Sequence, residues 1–251
     1  MRQPQDVFSV FLKNSNKLNA FIMHTIKTLL LVLLISSTAL AQRSETRDLA
    51  TFDEISFATS GTVYLKQGNT QKVELKGERD DLDEIRTEVR GGRLLIKNRS
   101  NSWFSWNNNS KIEIYITVKN LKGLSVSGSG RVYGESKFTT DYLDLGVSGS
   151  GKMELEANAR EVDMSISGSG RITLEGEGRI TEISISGSGK LDAEDFIADD
   201  HTIRISGSGS CYIHADESID ARISGSGSIH YKGDARKVNS RSSGSGKVRR
   251  I

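Results

Sequence analysis

The sequence contains very few cysteines, prolines and aromatic residues. The single cysteine, Cys211, excludes an intramolecular disulfide, and the single proline, Pro4, lies at the extreme N-terminus. Aromatic residues make up only 6%, so the core must be built mainly from isoleucine, valine and leucine. The formal net charge is only +2, which gives no compositional sign of nucleic-acid binding, and we expect no nucleic-acid partner.

The N-terminal region has no apolar run long enough to cross a bilayer, but it has the parts of an export signal in their usual order. Lys27 precedes a short apolar stretch at 29–35, and Ala39-Leu40-Ala41 forms a small-x-small cleavage site. We interpret residues 1–41 as an over-called start plus a signal peptide, with Met23 as an alternative initiator; a buried apolar helix is the other interpretation. Cleavage after Ala41 predicts an exported protein, periplasmic, at the outer surface or secreted, with no remaining transmembrane segment.

Glycine is abundant, with 25 residues, and much of it lies in a repeat. The tetrapeptide Ser-Gly-Ser-Gly begins at Ser127, Ser148, Ser167, Ser186, Ser206, Ser224 and Ser243. Successive copies are 21, 19, 19, 20, 18 and 19 residues apart. A flexible linker has no reason to recur at a nearly constant distance, whereas a turn repeated once per coil of a solenoid does.

Apolar and polar residues alternate on both sides of each tetrapeptide. The residues directly before it are aliphatic: Val126, Val147, Ile166, Ile185, Ile205 and Ile223. The residues before those are outward-facing in this pattern: Ser125, Gly146, Ser165, Ser184, Arg204 and Arg222. The second residue after each tetrapeptide is again apolar: Val132, Met153, Ile172, Leu191, Cys211, Ile229 and Val248. This period of two predicts a strand, a corner, a second strand and a variable third side, with Cys211 as a small core residue.

We therefore predict an all-β fold, a right-handed single-stranded parallel β-helix (solenoid) with coils of about 19 residues and Ser-Gly-Ser-Gly corners. The corner glycines are predicted to be structural, because a sharp turn favours positive φ and stacked corners leave no room for a Cβ. They are Gly128, Gly130, Gly149, Gly151, Gly168, Gly170, Gly187, Gly189, Gly207, Gly209, Gly225 and Gly227. We expect the corner serines to form a ladder of hydroxyl hydrogen bonds along the stack.

The remaining segments depart from the regular repeat. In chain order we predict a flexible lead-in at 42–50, the N-terminal part and cap of the solenoid at 51–120, regular repeats at 121–235, and a polar, basic last coil or a frayed tail at 236–251. Within the cap, the acidic segment 78–85 predicts one or two helical turns. In the last coil, Ser240 and Ser242 stand where earlier coils have inward aliphatic residues, which would protect an exposed strand edge against aggregation.

The opening segment 52–68, FDEISFATSGTVYLKQG, combined with the export signal and the recurrent S-x-SGSG motif, resembles a bacterial family. It is the family of putative auto-transporter adhesins with a head GIN domain, frequent in Bacteroidetes. The resemblance covers roughly 50–235. It implies a single-stranded parallel β-helix and a surface-adhesion function, and it implies no catalytic residues.

A polar segment at 98–110 carries three aromatic residues, Trp103, Phe104 and Trp106. Aromatic rings in a polar loop can stack on sugar faces or anchor a protein partner, so we predict this segment as a binding site for a glycan or a surface protein. The alternative is that the rings fold back as a lid on the solenoid.

Four basic residues directly follow successive corners: Arg131, Lys152, Arg171 and Lys190. Stacking would align them in a ladder that can bind an anionic glycan. Acidic residues precede the corners at Asp144, Asp163, Glu182 and Asp220 and would form a second ladder. The alternative is that both ladders are solvated faces, because like charges about 5 Å apart in water repel by only about 1 kcal/mol.

No catalytic or metal-binding pattern is present. His201, His214 and His230 occupy different offsets in their coils and match no zinc motif, so we expect no metal and no cofactor. The favoured hypothesis is a non-enzymatic exported solenoid that acts as an envelope or cell-surface scaffold or binding protein, adhesin-like. The alternatives are a carbohydrate-active β-helix enzyme that uses surface carboxylates, and a ligand-sensing domain of the envelope.

Overall fold

The computed structural model describes residues 43–99 and 112–251, and within them it is almost entirely β-structure. The predicted signal segment 1–41 and Met23 lie outside these residues. In chain order the elements are β1 (Arg43–Arg47), β2 (Glu54–Ala58), β3 (Thr62–Gln67), β4 (Lys72–Gly77), α1 (Arg79–Glu84), β5 (Ile85–Arg90), β6 (Arg93–Asn98), β7 (Glu113–Val118), β8 (Gly123–Gly128), β9 (Arg131–Gly149), β10 (Lys152–Gly168), β11 (Arg171–Gly187), β12 (Lys190–Gly207), β13 (Ser210–Gly225), β14 (Ser228–Lys232), β15 (Lys237–Gly244) and β16 (Lys247–Arg250).

Strands β9 to β13 form the regular part of a parallel β-solenoid, as predicted. Each strand runs through almost a whole coil and pairs in parallel with the strand of the next coil. The register places Arg131 beside Lys152, Lys152 beside Arg171, and Arg171 beside Lys190. These steps of 21, 19 and 19 residues equal the spacings of the Ser-Gly-Ser-Gly copies, so each copy marks one coil.

The two glycines of a corner have different structural roles. The first has a positive φ in every copy, from +93° at Gly128 to +126° at Gly244. The second is buried in the first six copies, and a Cβ there would collide with an apolar side chain of a neighbouring coil; at Gly189 it would lie 2.3 Å from Cγ2 of Ile166. The predicted ladder of serine hydroxyl bonds is wrong for the described corners, because these hydroxyls face water. Backbone bonds join the coils instead, such as Ser150 N–H to Gly128 O at 2.9 Å.

Inward-facing side chains fill the interior with a single apolar core. Val126, Val147, Ile166, Ile185, Ile205 and Ile223 are all buried in one column. Cys211 is fully buried in the column that includes Leu191 and Ile229, which confirms its prediction as a core residue. Burial also raises the pKa of its thiol well above the ordinary value, so Cys211 carries no thiolate at neutral pH.

The N-terminal part closes one end of the stack with antiparallel strands. β4 pairs with β7, β1 pairs with β4, and β5 pairs with β6, all antiparallel. The expected flexible lead-in is therefore a strand at Arg43–Arg47, because its backbone completes the ladder of β4. The predicted helical turns at 78–85 are present as α1, which buries Leu82. Among the described residues this six-residue helix is too short and too polar to cross a membrane.

Coils at this end do not stack in sequence order. β2 lies between β6 and β8, and β3 lies between β7 and β9. In chain order, the second coil of the stack (β2 and β3) therefore comes first and the capping coil (β6 and β7) comes next. The chain then continues the stack at β8. Gly61, with φ of +127°, serves as a corner glycine of that first-built coil.

The C-terminal end is an ordered coil. Of the two alternatives predicted for it, the structure therefore favours the polar, basic last coil over the frayed tail. β15 pairs with β13, and β16 pairs with β14, both in parallel. All eight residues of β15 are exposed, including Ser240 and Ser242 at positions aligned with the buried Ala221 and Ile223.

Candidate functional site

The corner divides the outer surface of the solenoid into two faces that are candidates for ligand binding. The pre-corner face is the outer side of β6, β2 and β8, the segments of β9 to β13 that lead into a corner, and β15. The post-corner face is the outer side of β7 and β3, the segments of β9 to β13 that follow a corner, and β14 and β16. Both faces extend along the whole stack because every coil contributes a strand to each.

The post-corner face brings the predicted basic residues together. Arg131, Lys152, Arg171 and Lys190, here called the corner ladder, are register neighbours on β9 to β12. Lys190 is neutralised, because its Nζ lies 2.7 Å from Oδ2 of Asp192 and 4.4 Å from the ring centre of Tyr212. The other three are exposed, and none makes an ion pair with another described residue. Three basic residues without ion-pair partners therefore follow one another on adjacent strands, which are usually about 4.8 Å apart.

A row of aromatic side chains continues this face toward the N-terminal cap. Tyr115, Tyr64 and Tyr133, here called the tyrosine stack, are register neighbours on β7, β3 and β9. Their rings are stacked with centroid distances of 5.0 Å for Tyr64–Tyr115 and 6.1 Å for Tyr64–Tyr133. The alternation of residues 111–118 already places Tyr115 outward, but the alignment of the three rings depends on the order of the coils, which sequence reasoning missed.

Charged groups at the cap end hold the tyrosine stack in place. The Tyr115 hydroxyl donates to Oε2 of Glu113 at 2.9 Å, which raises the pKa of Tyr115 to about 12. The Nζ of Lys76 lies 4.2 Å from the Tyr115 ring centre. Beside it, hydrogen bonds from Lys72 and Ser44 lower the pKa of Glu74 to about 2. At neutral pH the phenol of Tyr115 therefore stays protonated and the carboxylate of Glu74 stays ionised, as expected of a binding surface.

The pre-corner face carries a long, shallow groove of about 860 Å³ that extends from β8 to β15. Its outward residues in the first four coils are small: Ser125, Gly146, Ser165 and Ser184. In the last three coils the same position holds Arg204, Arg222 and Arg241, here called the arginine ladder, which are register neighbours. The alternation around the corners in the sequence already predicts Arg204 and Arg222 to face outward.

The predicted acidic ladder also lies on the pre-corner face. Asp144, Asp163 and Glu182 are register neighbours, and Thr202 separates them from Asp220. The Tyr142 hydroxyl donates to Oδ2 of Asp163 at 2.7 Å. Burial, followed by the repulsion of Asp163 and Glu54, raises the pKa of Asp144. No ion pair joins these carboxylates to the described corner ladder, so the two rows do not neutralise each other directly.

The aromatic residues of the predicted binding segment lie outside the described residues, and the site at Trp103, Phe104 and Trp106 stays a prediction. Its described neighbours are β6 on the pre-corner face and β7 on the post-corner face.

The histidines are not assembled into a common site. His201 is buried, with Nδ1 2.7 Å from the Thr181 hydroxyl and Nε2 2.9 Å from the carbonyl oxygen of His214. His230 stacks on Tyr212 with a centroid distance of 4.8 Å on the post-corner face. Within 43–99 and 112–251, no group of three histidine, cysteine or carboxylate side chains is placed to hold a metal ion.

Solved structures of the same architecture come from Bacteroidetes. A putative adhesin from Bacteroides fragilis is 26% identical, with a TM-score of 0.76, and the alignment covers 83% of this chain and 96% of that one. A putative lipid binding protein from Parabacteroides distasonis is 26% identical, with a TM-score of 0.67 and the same coverage. A putative adhesin from the same species, 22% identical with a TM-score of 0.69, shares the fold over 85% of this chain and 98% of that one.

No curated protein matches the chain. A family model described as putative auto-transporter adhesin, head GIN domain, matches residues 51–235, which include the cap, both faces and all but the last of the Ser-Gly-Ser-Gly corners. The chain therefore belongs to the family of putative auto-transporter adhesins with a head GIN domain.

Proposed function

We propose that this protein is an exported, non-enzymatic binding protein of the cell envelope or surface, adhesin-like, that holds an anionic glycan along its post-corner face. The observation that carries the proposal is the group of three corner-ladder cations, Arg131, Lys152 and Arg171, which lack ion-pair partners among the described residues. Membership of a family named for adhesion and the named adhesins among its structural relatives support a binding role.

The arrangement suits a linear ligand. Equally spaced cations can contact successive acidic groups along a chain, and the tyrosine stack lies on the same face, in the same direction. The backbone of the sheet holds these side chains at fixed spacing, so binding does not require the protein to reorganise. The aromatic residues Trp103, Phe104 and Trp106, predicted from the sequence as a binding site, are proposed to contribute to the same binding.

The test is binding of purified protein to a panel of acidic and neutral polysaccharides, with the variant R131Q/K152Q/R171Q. Each exposed charge contact contributes about 0.5–1 kcal/mol, so removing three should weaken binding of an acidic glycan by roughly 10–100-fold. Added salt should weaken the wild-type interaction in the same direction.

The matched control is R160Q/R179Q/R236Q. It removes the same net charge from exposed arginines, but these are already paired with Glu161, Asp199 and Glu217. Equal losses of affinity in both variants would show that binding depends only on net charge, and they would contradict a site at the corner ladder. Release of oligosaccharides from any panel member would favour the enzyme alternative, and binding only to anionic vesicles would favour a lipid-binding role such as the one named for the Parabacteroides relative.

A further inference from the structure

Charge on the pre-corner face is divided between two halves of the stack. The arginine ladder occupies the C-terminal half, on β12, β13 and β15. The half before it, on β9, β10 and β11, carries three carboxylates one outward position earlier along each strand. These are Asp144, Asp163 and Glu182, here called the acidic trio. Three acidic coils are therefore followed directly by three basic coils.

Neither group of charges is neutralised within the chain. Arg204 and Arg241 form no ion pair with any described residue, and Nε of Arg222 lies 3.9 Å from Oδ1 of Asp220. The acidic trio likewise forms no ion pair within the described part of the chain, although Asp163 accepts a hydrogen bond from the Tyr142 hydroxyl. Like charges repel within each group, and opposite charges supplied by another molecule would relieve that repulsion.

The surface between the charges is suited to contact with another sheet. The groove of about 860 Å³ extends over both halves, and its exposed surface is mostly apolar. Its outward residues from β8 to β11 are serine or glycine, so they leave room for a close approach. The exposed Ile180, two residues before Glu182, adds apolar surface. Sheets usually pack face to face about 10 Å apart, a distance that an arginine and a carboxylate side chain can bridge together.

The area of this face is sufficient for a specific interface. Six strands about 4.8 Å apart, each contributing about seven residues at about 3.3 Å per residue, cover roughly 600–700 Å². Two such faces bury about 1,300 Å² together, which is within the range of specific protein–protein interfaces, about 1,200–2,000 Å².

The order of the charges selects one arrangement of two copies. If the two stacks ran in the same direction, each arginine ladder would meet the other. A two-fold axis parallel to the strands, between β11 and β12, reverses one stack. It places β12, β13 and β15 of one copy opposite β11, β10 and β9 of the second copy. The facing residues, each pair occurring twice by symmetry, are then Arg204 with Glu182, Arg222 with Asp163, and Arg241 with Asp144.

We propose that the pre-corner face is the interface of an antiparallel two-fold homodimer, in which the arginine ladder of each copy binds the acidic trio of the other. The corner ladder and the tyrosine stack lie on the opposite face and stay accessible in this dimer. The dimer is independent of the proposed glycan binding, so either can fail without the other.

The experiment is sedimentation velocity of the purified protein over a micromolar concentration range. Wild type should form dimers. The variants R204E/R222E/R241E and D144K/D163K/E182K should each raise the dissociation constant at least about tenfold, because like charges then face each other at every pair. An equimolar mixture of the two variants should form dimers again, since every facing pair is then of opposite charge. Circular dichroism should show that both variants are folded.

The matched control is R131E/K152E/R171E, which reverses three unpaired cations on the post-corner face and should dimerise like wild type. A monomeric wild type, unchanged association in either charge-reversal variant, or a mixture that stays monomeric would overturn the proposal. Equal loss of dimers in the control would also overturn it, because association would then depend on net charge alone. A monomeric wild type that binds phosphatidylglycerol vesicles through the arginine ladder would assign the face to a lipid headgroup instead.

Discussion

At the scale of single residues, the corner glycines separate two reasons for glycine that usually occur together: a positive φ and the lack of room for a Cβ. Gly128 and Gly187 both have positive φ, +93° and +109°. A Cβ on Gly128 would meet no atom within 4 Å, whereas a Cβ on Gly187 would lie 2.6 Å from the carbonyl oxygen of Gly168. A substitution at Gly128 therefore tests the backbone conformation alone, whereas a substitution at Gly187 tests the backbone conformation together with the close stacking of coils.

Substituting alanine at these positions should destabilise the protein to different extents. Gly128→Ala should cost about 1 kcal/mol through its unfavourable φ, and Gly187→Ala should cost more, within about 1–3 kcal/mol. Chemical denaturation followed by circular dichroism measures both. Equal losses would mean that the coils separate easily enough to admit a methyl group, and that stacking does not restrict the corner.

His201 is the buried polar residue whose protonation should affect stability. Its Nε2 must donate to the carbonyl oxygen of His214, and in the neutral ring, which burial favours, Nδ1 then accepts a hydrogen bond from the Thr181 hydroxyl. Burial lowers the pKa of His201 below its ordinary value of 6.5, against smaller opposing effects that include Asp200. The unfolded chain therefore binds a proton at a higher pH than the folded chain does.

The free energy of unfolding should be highest above about pH 6.5 and should fall as the pH drops below that value, because protons then favour the unfolded state. The variant His201→Gln should lose part of this dependence. The measurement is urea denaturation at pH 8 and pH 5 for both proteins. Identical pH profiles for wild type and variant would show that other groups cause any acid destabilisation.

At the scale of elements, the unit of this protein is a coil bounded by two corners. Coils of 18 to 21 residues stack with their corners aligned, because extra residues are accommodated elsewhere. The register shifts lie after Tyr133, after Thr173, and after Ala193 and Ala198, three or more residues past the preceding corner. The corners therefore stay aligned although the coils differ in length, provided that each coil still runs from one corner to the next.

Deleting one complete coil should leave a folded protein. Removing residues 152–170 joins the corner at Ser148 directly to Arg171, so β11 can stack on β9 in the register that β10 had. We expect a β-type circular dichroism spectrum and a reduced free energy of unfolding, since one interface between coils is lost. Deleting only 152–161 breaks the register and should abolish folding. Comparable stability of the two deletion variants would contradict the coil as the structural unit.

At the scale of the whole molecule, the two ends and the two faces differ. One end is closed by antiparallel strands and α1, and the other ends in an exposed, basic coil whose inward positions carry Ser240 and Ser242. Such a coil is a poor template for further strands, which limits end-to-end association. The basic residues Arg131, Lys152 and Arg171 lie on one face and Arg204, Arg222 and Arg241 on the other, in different coils, so the described solenoid carries two separate basic rows rather than one basic patch.

Local patterns in the sequence were enough to predict the solenoid, its coil length, the burial of Cys211 and the alignment of the corner ladder. Prediction failed where pairing depends on distant strands. Residues 43–47 are polar and show no alternation, yet they form β1 because the free edge of β4 supplies hydrogen-bonding partners. The expected serine ladder failed for the opposite reason, since water satisfies those exposed hydroxyls and the backbone already joins the corners.

The repeating unit can be predicted from the chain alone, because a corner and its alternating flanks are properties of about 19 consecutive residues. Which side chains of different coils become neighbours at the irregular end depends instead on the order in which the coils stack. Tyr64 lies between Tyr115 and Tyr133 because β3 is inserted between β7 and β9, against the order of the chain. The tertiary structure also showed which cations lack partners, since an ion pair depends on side-chain placement across coils rather than on spacing along the chain.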